Sequence, residues 1–135
     1  VASALGLFAA PNIAGYSTSK FAVVGLSESL RAEVAPHHIG VTTICPGVID
    51  TNIVKTTRYK QTDPDAARAR VIAMYKKRNY APERVAEVIV RSIKTGRAVV
   101  PVTAEAWLAY YLKRFAPSLA SPLSRVMARR SLGEA

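Results

Sequence analysis

Residues 15–22 read Gly-Tyr-Ser-Thr-Ser-Lys-Phe-Ala and place Tyr16 four positions before Lys20. In a helix, residues four apart lie on one face, so the stretch predicts an ammonium group beside a phenol. Ser3 stands thirteen residues before Tyr16, and the pair Pro46-Gly47 follows it by thirty. A tyrosine and a lysine at this spacing are a weak signal alone, but the spacing of all four features is a much stronger one.

These residue types suit carbonyl and alcohol chemistry. A free tyrosine loses its proton near pH ~10, so proton exchange closer to neutrality needs a cation that favours the phenolate. A desolvated Lys20 ammonium would supply much of that preference. Ser3 would offer a neutral hydroxyl that donates to a carbonyl oxygen or accepts from an alcohol. The pattern therefore predicts an acid/base site.

The serine, the Tyr-x-x-x-Lys motif and a strand that ends in Pro-Gly resemble the short-chain dehydrogenase/reductase family. The resemblance covers residues 1 to about 102. It implies transfer of a hydride between a nicotinamide cofactor and a carbonyl compound or secondary alcohol. It also implies three catalytic roles: Tyr16 as the general acid/base, Lys20 as the group that favours the phenolate and holds the cofactor ribose, and Ser3 as the hydroxyl that orients the substrate.

The resemblance implies that the cofactor is NAD or NADP. It would be held by Tyr16, Lys20, the turn Pro46-Gly47, Val48 against the nicotinamide carboxamide, and Thr51 near the phosphates. Family members also carry a glycine-rich turn that cradles the pyrophosphate. The seven glycines of this chain, at positions 6, 15, 25, 40, 47, 96 and 133, have no such clustered spacing. We therefore expect the chain to be the C-terminal half of a longer enzyme and to be inactive in isolation.

The pattern of apolar residues predicts an α/β fold. The resemblance implies that it is the C-terminal part of a Rossmann-like doubly wound parallel sheet. The predicted elements are a helix from Tyr16 to Ala35 stopped by Pro36, a strand from Gly40 to Cys45, a helix from Pro82 to Lys94 stopped at Thr95-Gly96, and a strand from Ala98 to Val102. Residues 1–102 would form half of a catalytic domain, and residues 103–135 a basic helical tail.

Residues 52–80 are predicted to form a substrate lid, with Asp63 as the N-cap and Pro64 as the first residue of a helix to Arg78. Apolar side chains of the lid favour a bulky, lipid-like ketone or alcohol: Ile53, Val54, Met74, Tyr75 and Tyr80. Five cations would either meet an acidic substrate or, as we prefer, form a solvated basic face: Arg68, Arg70, Lys76, Lys77 and Arg78.

The helix from Tyr16 to Ala35 is apolar or small nearly all round, which predicts burial on every side. One side would meet the sheet and another a partner helix, so we expect a homo-oligomer. The family resemblance implies the same helix pairing.

Charge is uneven along the chain, because the first 54 residues hold two basic and three acidic side chains within a net charge of +10. The basic excess therefore lies downstream. In the tail, five residues fall on one arc of a helix, with Lys113 and Arg114 off it: Trp107, Leu108, Tyr111, Leu112 and Phe115. A second short helix would begin at Ser121 and Pro122. The tail would lie at an anionic membrane surface or pack on its own domain or a neighbouring subunit.

Several classes of function are disfavoured by the sequence. No recognition-helix motif accompanies the charge, so nucleic acid is not an expected partner. His37 and His38 lack the further ligands of a metal site, so none is predicted. Cys45 is predicted to be a buried apolar residue, and a single cysteine with no signal peptide favours a cytoplasmic location, with peripheral membrane contact as an option. The rival hypothesis is a non-catalytic membrane-surface or oligomerisation module.

Overall fold

The computed structural model describes residues 1–53, 64–118 and 122. Its helices are α1 (Ala14–Val34), α2 (Pro64–Arg78), α3 (Pro82–Thr95) and α4 (Ala104–Phe115), its strands are β1 (Thr43–Cys45) and β2 (Val99–Pro101), and short 3₁₀ turns cover Ala4–Gly6 and Ala35–His37. The strands pair in parallel, with Ile44 opposite Val100. This combination of helices with parallel strands confirms the predicted α/β fold class.

The first residues of the chain run beside β1. The N–H groups of Ala2 and Ala4 donate to the carbonyls of Ile44 at 2.8 Å and Pro46 at 2.7 Å. A parallel ladder would return a bond from the N–H of residue 46, but proline has none. The ladder therefore stops at Pro46, and the chain is free to turn away at that edge of the sheet.

Helices α1 and α3 each end at a backbone feature that stops a helix. Pro36 lies in the 3₁₀ turn after α1, and His38 then takes a left-handed conformation with φ of 58°. Gly96 follows α3 with φ of 61°, which glycine adopts without strain. These stops lie within two residues of the predicted helix ends.

Helix α1 is not covered on every side within this chain. Its half-buried Val23 and Val24 pack on the core, whereas Leu26 and Leu30 on other faces are exposed. The expectation of complete burial is thus met only on the side that faces the sheet. The exposed side matches what the predicted pairing of helices requires, and the homo-oligomer itself stays a prediction.

Arg31 fastens the end of α1 to two neighbouring segments. Its guanidinium donates to the carbonyl of Val41 at 2.6 Å, ahead of β1, and to the carbonyl of Gly96 at 2.8 Å, after α3. A planar guanidinium suits this double contact better than an ammonium.

Replacing Arg31 with Met should lower the free energy of unfolding by about 2 kcal/mol, because two charge-assisted hydrogen bonds are lost while the side-chain volume is kept. Urea unfolding of the natural protein that carries this chain would measure it. Arg91→Met, at an exposed position of α3, is the matched control and should change stability by less than about 0.5 kcal/mol. Equal effects of the two substitutions would show that the Arg31 contacts contribute nothing.

The chain divides into two compact units, Val1–Gly47 with the chain from Ile89 onward, and Val48–Val88. The first unit has a core of Ala2, Leu7 and Cys45, against which Val99 and Tyr110 pack. Helix α4 therefore belongs to the first unit. The predicted domain boundaries stay predictions, and the expectations for Val54, Asp63 and Ser121 fall outside the described residues.

Candidate functional site

Tyr16 and Lys20 lie on successive turns at the start of α1. The Lys20 Nζ is 5.4 Å from the centroid of the Tyr16 ring. The tyrosine side chain is 43% exposed and Lys20 is half-buried, so the phenol can be reached by a ligand while the ammonium lies partly out of solvent. The i to i+4 spacing thus produces the local pairing that the sequence predicts.

Ser3 is buried at the end of the segment that runs beside β1. Its Oγ accepts a hydrogen bond from the N–H of Leu5 at 3.2 Å and so caps the first 3₁₀ turn. The adjoining N–H of Ala4 donates to Pro46. Because parallel segments end at the same edge, Ser3 and the Pro46-Gly47 turn come together at the carboxyl edge of the sheet, the usual place for ligands in open α/β sheets.

Gly6 allows the turn after Ser3 to pack against α1. A Cβ at position 6 would stand 2.6 Å from the backbone oxygen of Lys20 and 3.0 Å from Cγ2 of Val24. The turn that carries Ser3 and the helix turn that carries Lys20 are therefore held in direct contact. The role of Gly6 was not predictable, because a lone glycine three residues after Ser3 gives no sign of the distant segment it touches.

Gly47 packs against residues that follow β2. A Cβ at position 47 would overlap the Oγ1 of Thr103 and lie 2.9 Å from Oε1 of Glu105. Because Gly47 has no side chain, Thr103 in the connection between β2 and α4 can pack directly against it. Neither Thr103 nor Glu105 was predicted from the sequence, since both come from a segment assigned to the tail.

A feature next to the Pro46-Gly47 turn suits a polar ligand group. The Thr103 hydroxyl is buried and, among the residues described, has no hydrogen-bond partner. A buried hydroxyl without a partner is costly, and a bound amide would satisfy it. The family resemblance implies that the nicotinamide carboxamide lies near this turn, so the residues present fit the expected cofactor.

Val48 and Thr51 belong to the second compact unit. Val48 is half-buried and Thr51 is exposed, and between them the N–H of Asp50 donates to the carbonyl of Tyr80 at 3.0 Å. Their cofactor contacts stay predictions.

The lid residues that the structure describes are largely open to solvent. Ile53 and Met74 are exposed, whereas Tyr75 and Tyr80 are half-buried. The basic residues at the end of α2 are also exposed: Lys76, Lys77 and Arg78. An exposed ion pair joins Arg68 to Asp65 at 3.2 Å. This arrangement supports the preferred interpretation of the cations as a solvated face.

Cys45 is fully buried beside Ser3, and burial raises the pKa of its thiol to about 11. The thiolate is the reactive form, so a raised pKa makes the group inert near neutral pH.

The described part of the chain contains no cluster of three potential metal-ligating side chains. Nor does any helix in that part have the length and apolar character needed to cross a bilayer.

Alkylation of Cys45 should be roughly a hundredfold slower in the folded natural protein than in urea at pH about 8, because the raised pKa lowers the thiolate fraction by that factor. The folded-state rate should keep rising up to about pH 11, whereas the rate in urea should level off near pH 9.0. Mass spectrometry of the peptide that holds Cys45 would follow the reaction. Similar rates in the two states would contradict the burial of this thiol.

Comparison with known proteins finds similarity to one family. A family model described as short chain dehydrogenase matches residues 1–62. "Probable oxidoreductase EphD" of Mycobacterium tuberculosis is 39% identical over 120 residues, which is 85% of this chain and 20% of that protein. "Dehydrogenase/reductase SDR family protein 7-like" of Drosophila melanogaster is 32% identical over 126 residues, 88% of this chain and 36% of that protein.

A fungal relative, "Short-chain dehydrogenase anuF" of Penicillium roqueforti, is 36% identical over 89 residues, 66% of this chain and 32% of that protein. The chain thus spans 20% to 36% of the length of these three curated relatives. The matched stretch at residues 1–62 contains the Tyr-x-x-x-Lys motif and the Pro46-Gly47 turn.

Proposed function

Because this chain belongs to the short-chain dehydrogenase/reductase family, we propose that it forms part of an oxidoreductase acting on a carbonyl compound or secondary alcohol with NAD or NADP. The observation that carries the proposal is the exposed Tyr16 phenol with the Lys20 ammonium 5.4 Å from its ring centroid. Gly6 packs the turn that follows Ser3 directly against this part of the helix.

Proton exchange is the proposed role of Tyr16. In the reducing direction its phenol would give a proton to the carbonyl oxygen, and in the oxidising direction its phenolate would take one from the alcohol. The Lys20 ammonium would stabilise the negative charge that develops on the phenolic oxygen. The Ser3 hydroxyl, held by the Leu5 N–H, would donate to the substrate oxygen and orient it.

Several residues of the chain would hold the cofactor, which supplies the hydride when bound. Lys20 would bind the ribose hydroxyls. The turn at Pro46-Gly47 and the unpartnered Thr103 hydroxyl would receive the carboxamide, with Val48 and Thr51 following in the chain.

Removal of the Thr103 hydroxyl by Thr103→Val should raise the KM for the cofactor, and an unchanged KM would remove this residue from the cofactor site.

The substrate is proposed to be bulky and apolar. The exposed Ile53 and Met74 of the predicted lid support this class, because contact with an apolar ligand would remove their apolar surface from water, which is favourable. Assays of the natural protein with NADH and with NADPH against matched ketones of increasing chain length would test it. Rising kcat/KM with chain length is expected. Equal activity on small polar ketones would overturn the substrate class, and no cofactor oxidation with any ketone would overturn the enzyme proposal itself.

The natural protein is proposed to work as a homo-oligomer in the cytoplasm. The exposed side of α1 supports the oligomer, since Leu26 is 68% exposed on a helix whose Val23 and Val24 pack on the core. The buried, unpaired Cys45 suits a reducing compartment.

Leu26→Glu should shift the natural protein to a smaller assembly, because a charge in a packed helix interface is costly. Sedimentation velocity would measure the change in mass. Glu33→Gln, an exposed substitution on the same helix, is the control and should leave the mass unaltered. An unchanged mass for both variants would exclude this face as the interface.

A further inference from the structure

Helix α4 turns its aromatic side outward. Leu108 is 69% exposed, Phe115 78% and Tyr111 49%. The rings of Trp107 and Tyr111 stack with centroids 5.4 Å apart, and those of Tyr111 and Phe115 stack at 6.0 Å. Trp107, Tyr111 and Phe115, spaced four residues apart, form one continuous row of stacked rings, in which Trp107 is half-buried and the other two are exposed.

The side of α4 that packs on the protein is apolar, and Lys113 lies beside it over α1. Ala106 is buried, and Tyr110 packs on the core. The Lys113 ammonium lies 4.0 Å from the centroid of the Phe21 ring on α1, and partial burial lowers the pKa of this lysine. A helix at a water-facing surface normally keeps its large apolar groups inside, whereas Leu108, Tyr111 and Phe115 of α4 are exposed. An exposed row of this kind marks an interaction surface.

Cations flank the aromatic row. The Arg97 guanidinium lies 5.5 Å from the centroid of the Trp107 ring, and Arg114 is exposed beside Phe115. The single acidic residue of α4, Glu105, is half-buried and lies against Gly47, away from the row. The surface therefore combines exposed aromatic rings with positive charge and carries no acidic side chain of α4.

We propose that the outer face of α4 is a docking surface for an anionic lipid bilayer. Tryptophan and tyrosine favour the level of the headgroups, leucine and phenylalanine enter the acyl region, and arginine binds lipid phosphates. A symmetric pairing of this face with a second copy is less favourable, because it would bring the arginines of both copies together without opposing carboxylates. The proposal concerns a partner of the protein and does not depend on its catalytic activity.

Co-sedimentation of the natural protein with vesicles tests the surface. Binding is expected with vesicles of phosphatidylcholine and phosphatidylglycerol, and much weaker binding with phosphatidylcholine alone. Leu108→Ser should weaken binding by about tenfold through lost apolar burial, and Arg114→Gln by about fivefold through one lost cation. Ile93→Ser is the matched control, since Ile93 on α3 is also 69% exposed. Equal losses for Leu108→Ser and Ile93→Ser would overturn the proposal.

A fluorescent label at position 108 distinguishes the possible occupants of the face. In Leu108→Cys carrying an environment-sensitive dye, anionic vesicles should shift the emission to the blue, and nitroxide lipids should quench it. The same label at position 93 should not respond. A blue emission before vesicles are added would mean that another part of the protein covers the face. A smaller assembly for Leu108→Ser in sedimentation velocity would mean that a second copy covers it. Either of these results overturns the lipid assignment.

Discussion

Replacement of Tyr16 by Phe should lower kcat of the natural protein by about 10³-fold, because the phenol beside Lys20 is lost and would no longer exchange a proton with the substrate oxygen. The substitution removes one exposed hydroxyl and leaves the ring, so packing of α1 and the cation–ring contact should persist. Steady-state kinetics with a reactive ketone, together with circular dichroism, would measure both parts of the expectation.

Tyr111→Phe is the matched control for this experiment. Tyr111 is exposed to a similar degree, 49% against 43% for Tyr16, and lies on α4. Its hydroxyl should contribute nothing to turnover. Wild-type kcat in Tyr16→Phe would refute the acid/base role. It would then favour the rival hypothesis, in which Tyr16 and Lys20 serve only as helix residues of a non-catalytic membrane-surface or oligomerisation module.

Gly6→Ala should lower the free energy of unfolding by about 3 kcal/mol, because the new methyl group meets a backbone oxygen that cannot rotate away. The 3₁₀ turn must move off α1 to relieve the contact at Lys20. Since Ser3 caps that turn, its hydroxyl moves as well, and a displacement of this kind can reduce kcat by about a hundredfold. Urea unfolding and steady-state kinetics would report the two effects separately.

Gly40→Ala provides the control, because a Cβ at position 40 meets no atom within 4 Å. It should leave kcat at the wild-type value and stability within about 0.5 kcal/mol. A mild effect of Gly6→Ala, equal to that of Gly40→Ala, would show that the turn and the helix are not held together by close contact.

The predictable part of the fold and site is the local part. Tyr16 and Lys20 come together because helical geometry fixes residues four apart, whatever surrounds them. The end of α3 was predictable from local sequence as well, because glycine adopts the left-handed conformation that ends a helix without strain, as Gly96 does here. The parallel pairing of β1 and β2 followed from strands separated by a helix, as in other α/β chains.

Contacts between distant segments were not predictable from the sequence. The packing of Gly6 on Lys20 and of Gly47 on Thr103 depends on where separate turns meet in space. The periodicity of α4 correctly places Trp107, Tyr111 and Phe115 on one arc, but periodicity does not say which arc faces the protein. Here Tyr110 packs on the core, whereas Tyr111 and Phe115 are exposed.

Because Gly47 and Thr103 are in contact, substitutions at these two distant positions should depend on each other. A side chain gained at position 47 requires volume to be lost at position 103, so the two residues should vary together among related sequences. Because Thr103 is also the residue from which α4 begins, sequence change in the tail is constrained by the turn that follows β1. Substitutions in the turn after β1 and at the start of α4 are therefore expected to occur together.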